Sequence, residues 1–454
     1  MKRFLLVFTL FALIFSTSCE KKEAIQKESI NSLPEKVVSA SASLMESEID
    51  TFHSKSNFES IRKKKLTNFG TIKYTPKVQT PDLESLNESF GVAEGHGHAA
   101  TNGSFLPVRA GLLTQGDFTK LAFPFDFEND ISAMKKLYTA HNLDSVLDKS
   151  MSILGVAKAL NVYVHGYFKD LREPTEKEFH EITGPSAITI AKLKEQGIGG
   201  TSEHYAALLC QLGTACGFTS RIVSMHTISA SGKMLSHTAC ELYISTFKKW
   251  VLFDPYSKAT FYLRGTNPQN AFELRELMLS NLYRDITPVV SYGDFTDIVA
   301  VRENLLPRYK YIHQYRRNDI IGTNVSWQDL YETHLVWEDE NSPVASGEFN
   351  RLSAFENGKV RFVTHNENDF NWPINQVKFD IERTGNKHFK IHFDTTTPNF
   401  SNFLISLNSE TAEKARTITS NTYDLEALDF EMTVWSVNAF GGVGARATVM
   451  VTKL

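Results

Sequence analysis

The sequence predicts an α+β protein, with a mixed helix-and-strand domain in the middle and a β-sandwich at the C-terminal end. Three observations lead there. Apolar residues recur at helical spacing between about residues 126 and 215. After residue 220 the apolar period changes to two. The final hundred residues read as short alternating strands separated by polar turns. The 32 Phe and 15 Tyr among 454 residues suit β-rich packing, and 42% hydrophobic with 22% charged residues is an ordinary globular composition. A formal charge of -4 offers no basic surface for nucleic acid.

The N-terminus, residues 1–19, reads as an export signal. Met1-Lys2-Arg3 supplies the positive start, and "FLLVFTLFALIF" is an apolar run of 12 residues, too short to span a bilayer. "STSC" then places small residues before Cys19, which resembles a bacterial lipoprotein signal. That resemblance implies lipidation of Cys19, a membrane partner reached through the anchor, and a place in the cell envelope. No other segment approaches 18 uninterrupted apolar residues, so no transmembrane helix is expected. Residues 20–90 are polar and charged and read as a tether. "EGHGHAA" sets His96 and His98 two apart, but no third ligand is evident. A Gly/His loop is the expectation there, and no metal or cofactor is called for.

A compact domain is expected over residues 91–305. "DFENDISAMKKLYTAHNLDSVLD" carries helical spacing, and in "SMSILGVAKALNVYVHGYFKDL" Ile153, Val156, Leu160, Val164 and Tyr167 share one face. Another helix ends at the Gly199-Gly200 pair. "RIVSMHTI", "SHTACELYIS" and "KWVLFDPY" follow as antiparallel strands, and "NAFELRELMLSNL" returns to helix. Residues 306–355 read as a linker or extra strands. Residues 356–454 hold the sandwich, with Val377, Phe379 and Ile381 facing one way and Met432, Val434 and Ser436 forming another face.

Three segments carry the chemical reading: "GGTSEHYAALLCQLGTACGFTSRIV", then "SHTACELYI" with His237, then "KKWVLFDPYS" with Asp254. Their order and spacing resemble the transglutaminase-like superfamily, relatives of papain-like cysteine proteases. Ala206, Leu208, Leu209, Gly217 and Arg221 match its helix and strand. His237, Glu241 and Tyr243 match its second block, and Trp250, Asp254 and Pro255 its third. The resemblance covers roughly residues 150–280. It implies a nucleophile at the mouth of a helix, a histidine on one strand as base and an aspartate on the next that orients it. Acyl-transfer chemistry would follow: peptidase, amidase or transglutaminase-type. The sandwich after residue 356 is similarly expected to be of immunoglobulin or fibronectin type III kind.

The departure is Ser202, which stands where that family places cysteine. A hydroxyl is far less acidic than a thiol and does not rest as an anion at a helix start. Serine and threonine are also favoured where helices begin, so Thr201 or Ser202 would suit capping alone. Gln196, six residues earlier, is a candidate oxyanion donor, and His204 a candidate groove residue. Cys210, Cys216 and Cys240 are too far from Ser202 or on the wrong strand face to replace it, and read as buried core thiols. Two expectations stand together. In one, a degenerate domain binds a peptide or glycan in the former catalytic groove. In the other, Ser202, His237 and Asp254 form an acyl-transfer triad.

Overall fold

The computed structural model describes residues 125–148, 151–172, 184–228, 234–280, 282–291, 295–332, 334–337, 361–408 and 415–453, with the short pieces 72–73, 108–114, 174–175, 178 and 339. Cys19, the signal, His96 and His98 lie outside these residues. Among the described residues, no helix is long and apolar enough to cross a membrane.

Helix and strand are mixed, as an α+β class requires. The principal helices are α1 (Ile131–Ala140), α2 (Ile153–Phe168), α3 (Ala187–Glu195), α4 (Ser202–Ala215) and α5 (Ala271–Leu279). The strands are β1 (Ile72–Lys73), β2 (Val108–Thr114), β3 (Ser220–Ile228), β4 (Met234–Ile244), β5 (Lys249–Asp254), β6 (Ala259–Leu263), β7 (Asn267–Pro268) and β8 (Ile286–Val290), then β9 (Tyr311–Tyr315), β10 (His334–Trp337), β11 (Arg361–Thr364), β12 (Val377–Arg383), β13 (His388–Thr395) and β14 (Phe400–Leu407). β15 (Arg416–Ile418), β16 (Thr422–Glu426), β17 (Phe430–Asn438) and β18 (Ala447–Lys453) complete the set.

Ten strands form one sheet in the order β1-β11-β10-β9-β3-β4-β5-β6-β7, with β8 also paired to β6. Helix α4 crosses one face and is buried along most of its length. Its core includes Leu208, Leu209, Ile222, Leu242, Val251 and Phe253. The other face holds Val223, Met225, Ala239, Tyr243, Trp250 and Leu252. The period-two reading of this stretch therefore describes a sheet apolar on both faces.

Helix α4 ends on a Schellman turn. Phe218 N–H donates to Gly213 O and Gly217 N–H to Thr214 O. Gly217 has φ +90, a left-handed conformation that a side chain would strain. This turn reverses the chain into β3.

β12, β13 and β16 form a second sheet, and β15-β14-β17-β18-β2 a third. The two share one core that includes Val377, Phe379, Ile391, Phe403, Met432 and Val449. The alternation expected at Val377, Phe379 and Ile381 is present. Met432 and Val434 are fully buried, and Ser436 is buried with its hydroxyl accepting from Thr397.

The expected boundaries shift in two places. Residues 306–355 supply β9 and β10 to the ten-stranded sheet, and β11, inside the span expected for the sandwich, joins them. β2, far upstream in the span 91–305, pairs with β18 and extends the third sheet. Both differences have one cause: strand periodicity reports a face, not a partner, and these partners are remote in sequence.

The sheets are tied together by polar contacts at their junction. Asn438 Nδ2 donates to Gly217 O at 2.9 Å, Gln376 Nε2 to Tyr243 Oη at 2.9 Å and Asn399 Nδ2 to Glu128 O at 2.5 Å. The buried Glu128 carboxylate accepts four backbone N–H groups, from Asn129, Asp130, Ile321 and Gly322. It thereby pins the chain before α1 to the loop after β9.

Candidate functional site

The chain enters α4 through Gly199 and Gly200, and neither position has room for a side chain. A Cβ at Gly199 would lie 3.0 Å from Arg172 O, and one at Gly200 2.7 Å from His204 Cβ. Thr201 is the N-cap. Its backbone N–H donates to His204 Nδ1 at 3.0 Å, and the Thr201 hydroxyl lies 2.9 Å from the same nitrogen. His204 is thus the third-position partner in a capping box, the place usually taken by Glu or Gln. Its ring is fully buried and packs edge-on against Trp327 at 5.1 Å. Burial pushes its pKa down to about 4, so it stays neutral as an acceptor must. As a groove residue His204 is corrected: it faces the core, because the cap needs its ring there.

Ser202 is the first helical residue and is half-buried. Its hydroxyl donates to Glu203 Oε2 at 3.3 Å and accepts from the backbone N–H of Thr238 at 3.3 Å. That contact places Ser202 against the backbone of the residue after His237. Alternation along β4 sends Thr238, Cys240 and Leu242 toward α4, and His237, Ala239 and Glu241 to the other face. Among the described residues, no hydrogen bond joins Ser202 to the His237 ring.

His237 and Asp254 are brought together. Cys240 pairs with Phe253 across β4 and β5, which leaves His237 and Asp254 as diagonal neighbours on one face. His237 Nε2 lies 3.0 Å from Asp254 Oδ2, with both side chains almost fully buried. Burial alone would raise the Asp254 pKa, but His237 and the Ser257 hydroxyl outweigh it, and the carboxyl is held below its ordinary value. Ser257 Oγ donates to Oδ2 at 2.7 Å, and Tyr256 N–H to Oδ1 at 3.1 Å. An ionised Asp254 accepts from Nε2–H, which leaves the His237 lone pair on Nδ1. The ring is set chemically as a base at that nitrogen.

Tyr256 links the two halves of the site. Its ring meets His237 edge-on at 5.9 Å and Tyr205 of α4 at 5.3 Å, and the residue is 39% exposed. His165 on α2 donates from Nδ1 to Pro255 O and Tyr256 O, which fixes the turn carrying Tyr256. Sequence reasoning missed Ser257, Tyr256 and His165. "DPYS" did hold a readable signal for Ser257, since a hydroxyl three residues after an aspartate reaches back to it. His165 carried none.

The remaining candidates fall away from this centre. Gln196 is the exposed C-cap of α3, and among the described residues its side chain hydrogen-bonds neither Ser202 nor His237. Cys210 and Cys240 are fully buried, and Cys216 is the half-buried C-cap of α4, with burial pushing its thiol up to about 12. Trp250 and Tyr243 are core residues, packed edge-on at 5.4 Å. Among the described residues, no group of three or more His, Cys, Asp or Glu is arranged to hold a metal ion. His226 and His313 illustrate why: their nitrogens point at each other, 2.9 Å apart, instead of converging on a third point.

Comparison of the sequence with known protein families and with curated proteins returns no match.

Proposed function

We propose that this chain is an exported, lipid-anchored protein with a degenerate transglutaminase-like domain, which binds a peptide or glycan at its former catalytic groove. One observation carries the non-catalytic part of the reading. The Ser202 hydroxyl is held by Thr238 N–H and Glu203 and makes no hydrogen bond to His237. A serine nucleophile needs its base within hydrogen-bond reach to lose its proton. The Tyr256 ring beside His237 is 39% exposed and offers an aromatic surface against which a sugar ring or a peptide side chain can pack. In this reading the paired C-terminal sheets are an immunoglobulin-like spacer or contact module, by analogy of fold.

A second reading rests on the His237–Asp254 pair, which is buried and hydrogen-bonded, with the Asp254 carboxyl held below its ordinary pKa. There Ser202 attacks an acyl group, His237 takes its proton, and the chain is a serine acyl transferase or hydrolase.

A fluorophosphonate probe on the full chain separates the two. The binding reading expects no adduct at Ser202. Labelling there that disappears in His237→Ala would overturn it. Binding itself is checked by co-sedimentation with insoluble peptidoglycan and by titration with extended peptides. Tyr256→Ala is expected to weaken the productive case about tenfold or more, the loss of one stacked aromatic contact.

A further inference from the structure

Helix α4 rests on β4 at close range because the side chains between them are small. Ala206, Cys210 and Gly213 fall on one helical face. A Cβ at Gly213 would lie 2.7 Å from Leu242 Cδ2. At the other end of the contact, Ser202 Oγ meets Thr238 N–H at 3.3 Å. Helix and strand are thus pinned at two points, and Cys210 comes down between them.

Cys210 Sγ lies 3.2 Å from Ser220 Oγ, and the same hydroxyl donates to Cys210 O at 2.8 Å. Ser220 faces Leu242 in register and Ile222 faces Cys240, so Cys240 is the diagonal neighbour of Ser220 on the face turned to α4. The Cys240 thiol donates to Glu241 O at 3.7 Å, and burial, with the neighbouring Cys210 thiol adding to it, pushes its pKa up. Both residues are fully buried in one core, and both are free thiols in the structure. Cys216 sits six residues beyond Cys210, at the C-cap of α4.

We propose that Cys210 and Cys240 are a disulfide-forming pair that staples α4 to β4 when the chain folds under oxidising conditions. Gly213 and Ala206 let α4 sit close to β4, and the Ser220 hydroxyl that touches Cys210 is the diagonal neighbour of Cys240; a disulfide then needs Cα atoms about 4.4–6.8 Å apart. The oxidant is a disulfide-bearing compound such as oxidised glutathione. One cysteine thiolate attacks a sulfur of the oxidant, giving a mixed disulfide and releasing one oxidant thiol. The second cysteine thiolate displaces the other oxidant thiol and closes the bond. The two cysteines lose two protons and two electrons, and the oxidant's disulfide becomes two thiols. Neither sulfur is accessible after packing, so the exchange belongs to the moment at which α4 docks. Once closed, the bond is shielded from reductant by the same burial. The staple would fix the helix bearing Ser202 to the strand bearing His237, whether or not Ser202 is a nucleophile.

The test is refolding of the full chain from denaturant with oxidised and reduced glutathione. Alkylation in denaturant without reductant and a non-reducing peptide map then follow. The expected result is one cross-linked peptide joining Cys210 to Cys240, with Cys216 alkylated. Alkylated Cys210 and Cys240, or pairing of either with Cys216 or Cys19, would overturn the proposal. A second readout uses Cys216→Ser refolded in the same way. Reduction in denaturant before refolding should lower its Tm by roughly 5 °C or more, and an unchanged Tm counts against a staple.

Discussion

The ten-stranded sheet and the paired C-terminal sheets solve burial in different ways. The large sheet buries charged groups: Arg221 against Glu241, and the Asp254 carboxylate beside His237. Arg221 also lies over Trp250 at 4.0 Å, and Glu241 accepts from Ala271 N–H at the start of α5. The C-terminal core is made of apolar side chains, and the buried polar groups around it, such as Thr397, Ser406, Thr433 and Ser436, are uncharged. Buried charge costs desolvation energy that only fixed, hydrogen-bonded partners offset. The C-terminal core is therefore held by apolar area and neutral hydrogen bonds, while the large sheet carries charged groups whose geometry the strand register dictates.

Removal of one member of the Arg221–Glu241 pair should cost more than any trim of the C-terminal core. Glu241→Ala leaves a guanidinium buried without its carboxylate, and a loss of about 3–5 kcal/mol in urea unfolding is expected. Replacing both residues together, Arg221→Met with Glu241→Leu, should recover most of that loss, because no unpaired charge remains. If the double variant is as unstable as the single, the pair contributes something other than mutual charge compensation. A conservative trim in the apolar core, Ile391→Val, should cost only about 0.5–1.5 kcal/mol.

Acid separates the regions next. Burial holds His141, His204 and His226 at about 4. Each titrates near 6.5 in the unfolded chain. A histidine whose folded value is depressed binds its proton more readily when unfolded. Its contribution is thus complete above about 6.5 and is lost as pH falls from there toward 4. A shift of this size corresponds to about 3 kcal/mol per group. Asp254 adds to the fall at still lower pH, because its folded value is also depressed. Hydrogen exchange should show β3 and β9, which carry His226 and His313, losing protection before β14 and β17 as the pH is lowered. Simultaneous loss would mean that the two regions unfold as one unit.

How much of this was legible depended on the distance between partners. The helix from Ser202 and the strands holding His237 and Asp254 are consecutive, and each is paired with its sequence neighbour, so periodicity and spacing located them. The opposite-face placement of Cys240 relative to His237 also followed from strand alternation. β9, β10 and β11 were not placed, because each joins the sheet across long intervening segments. β2 was beyond reach for the same reason: nothing in "VRAGLLT" announces a partner at the C-terminus. At the site, the residue types were readable but the contact between Ser202 and Thr238 N–H was not. It depends on how far down α4 sits over β4, which Gly213 sets by pressing on Leu242.

That depth gives a smaller test. Gly213→Ala puts a methyl group 2.7 Å from Leu242 Cδ2, so either the leucine or the helix must move. Leu242 is fully buried and has little room to turn. A loss of about 1–3 kcal/mol is expected, read in urea. A lift of α4 would also lengthen the Ser202–Thr238 contact, seen as faster exchange of the Thr238 amide. An unchanged amide would show that Leu242 yields instead of the helix.

The smallest expected effect is the most telling for Ser202. If its hydroxyl serves structure, Ser202→Ala removes the acceptor for Thr238 N–H and costs about 1 kcal/mol, the ordinary value of one such bond. Thr201→Ala should cost a similar amount through the lost cap. A nucleophile held for reaction behaves differently, because active-site side chains are commonly kept at the expense of stability, and removing one then stabilises the fold. The sign of the Ser202→Ala change in urea unfolding therefore discriminates without any substrate in hand. A loss fits a helix start that has settled onto the strand beside it. A gain would restore Ser202 as a working group opposed to its surroundings, with His237 and Asp254 as its partners.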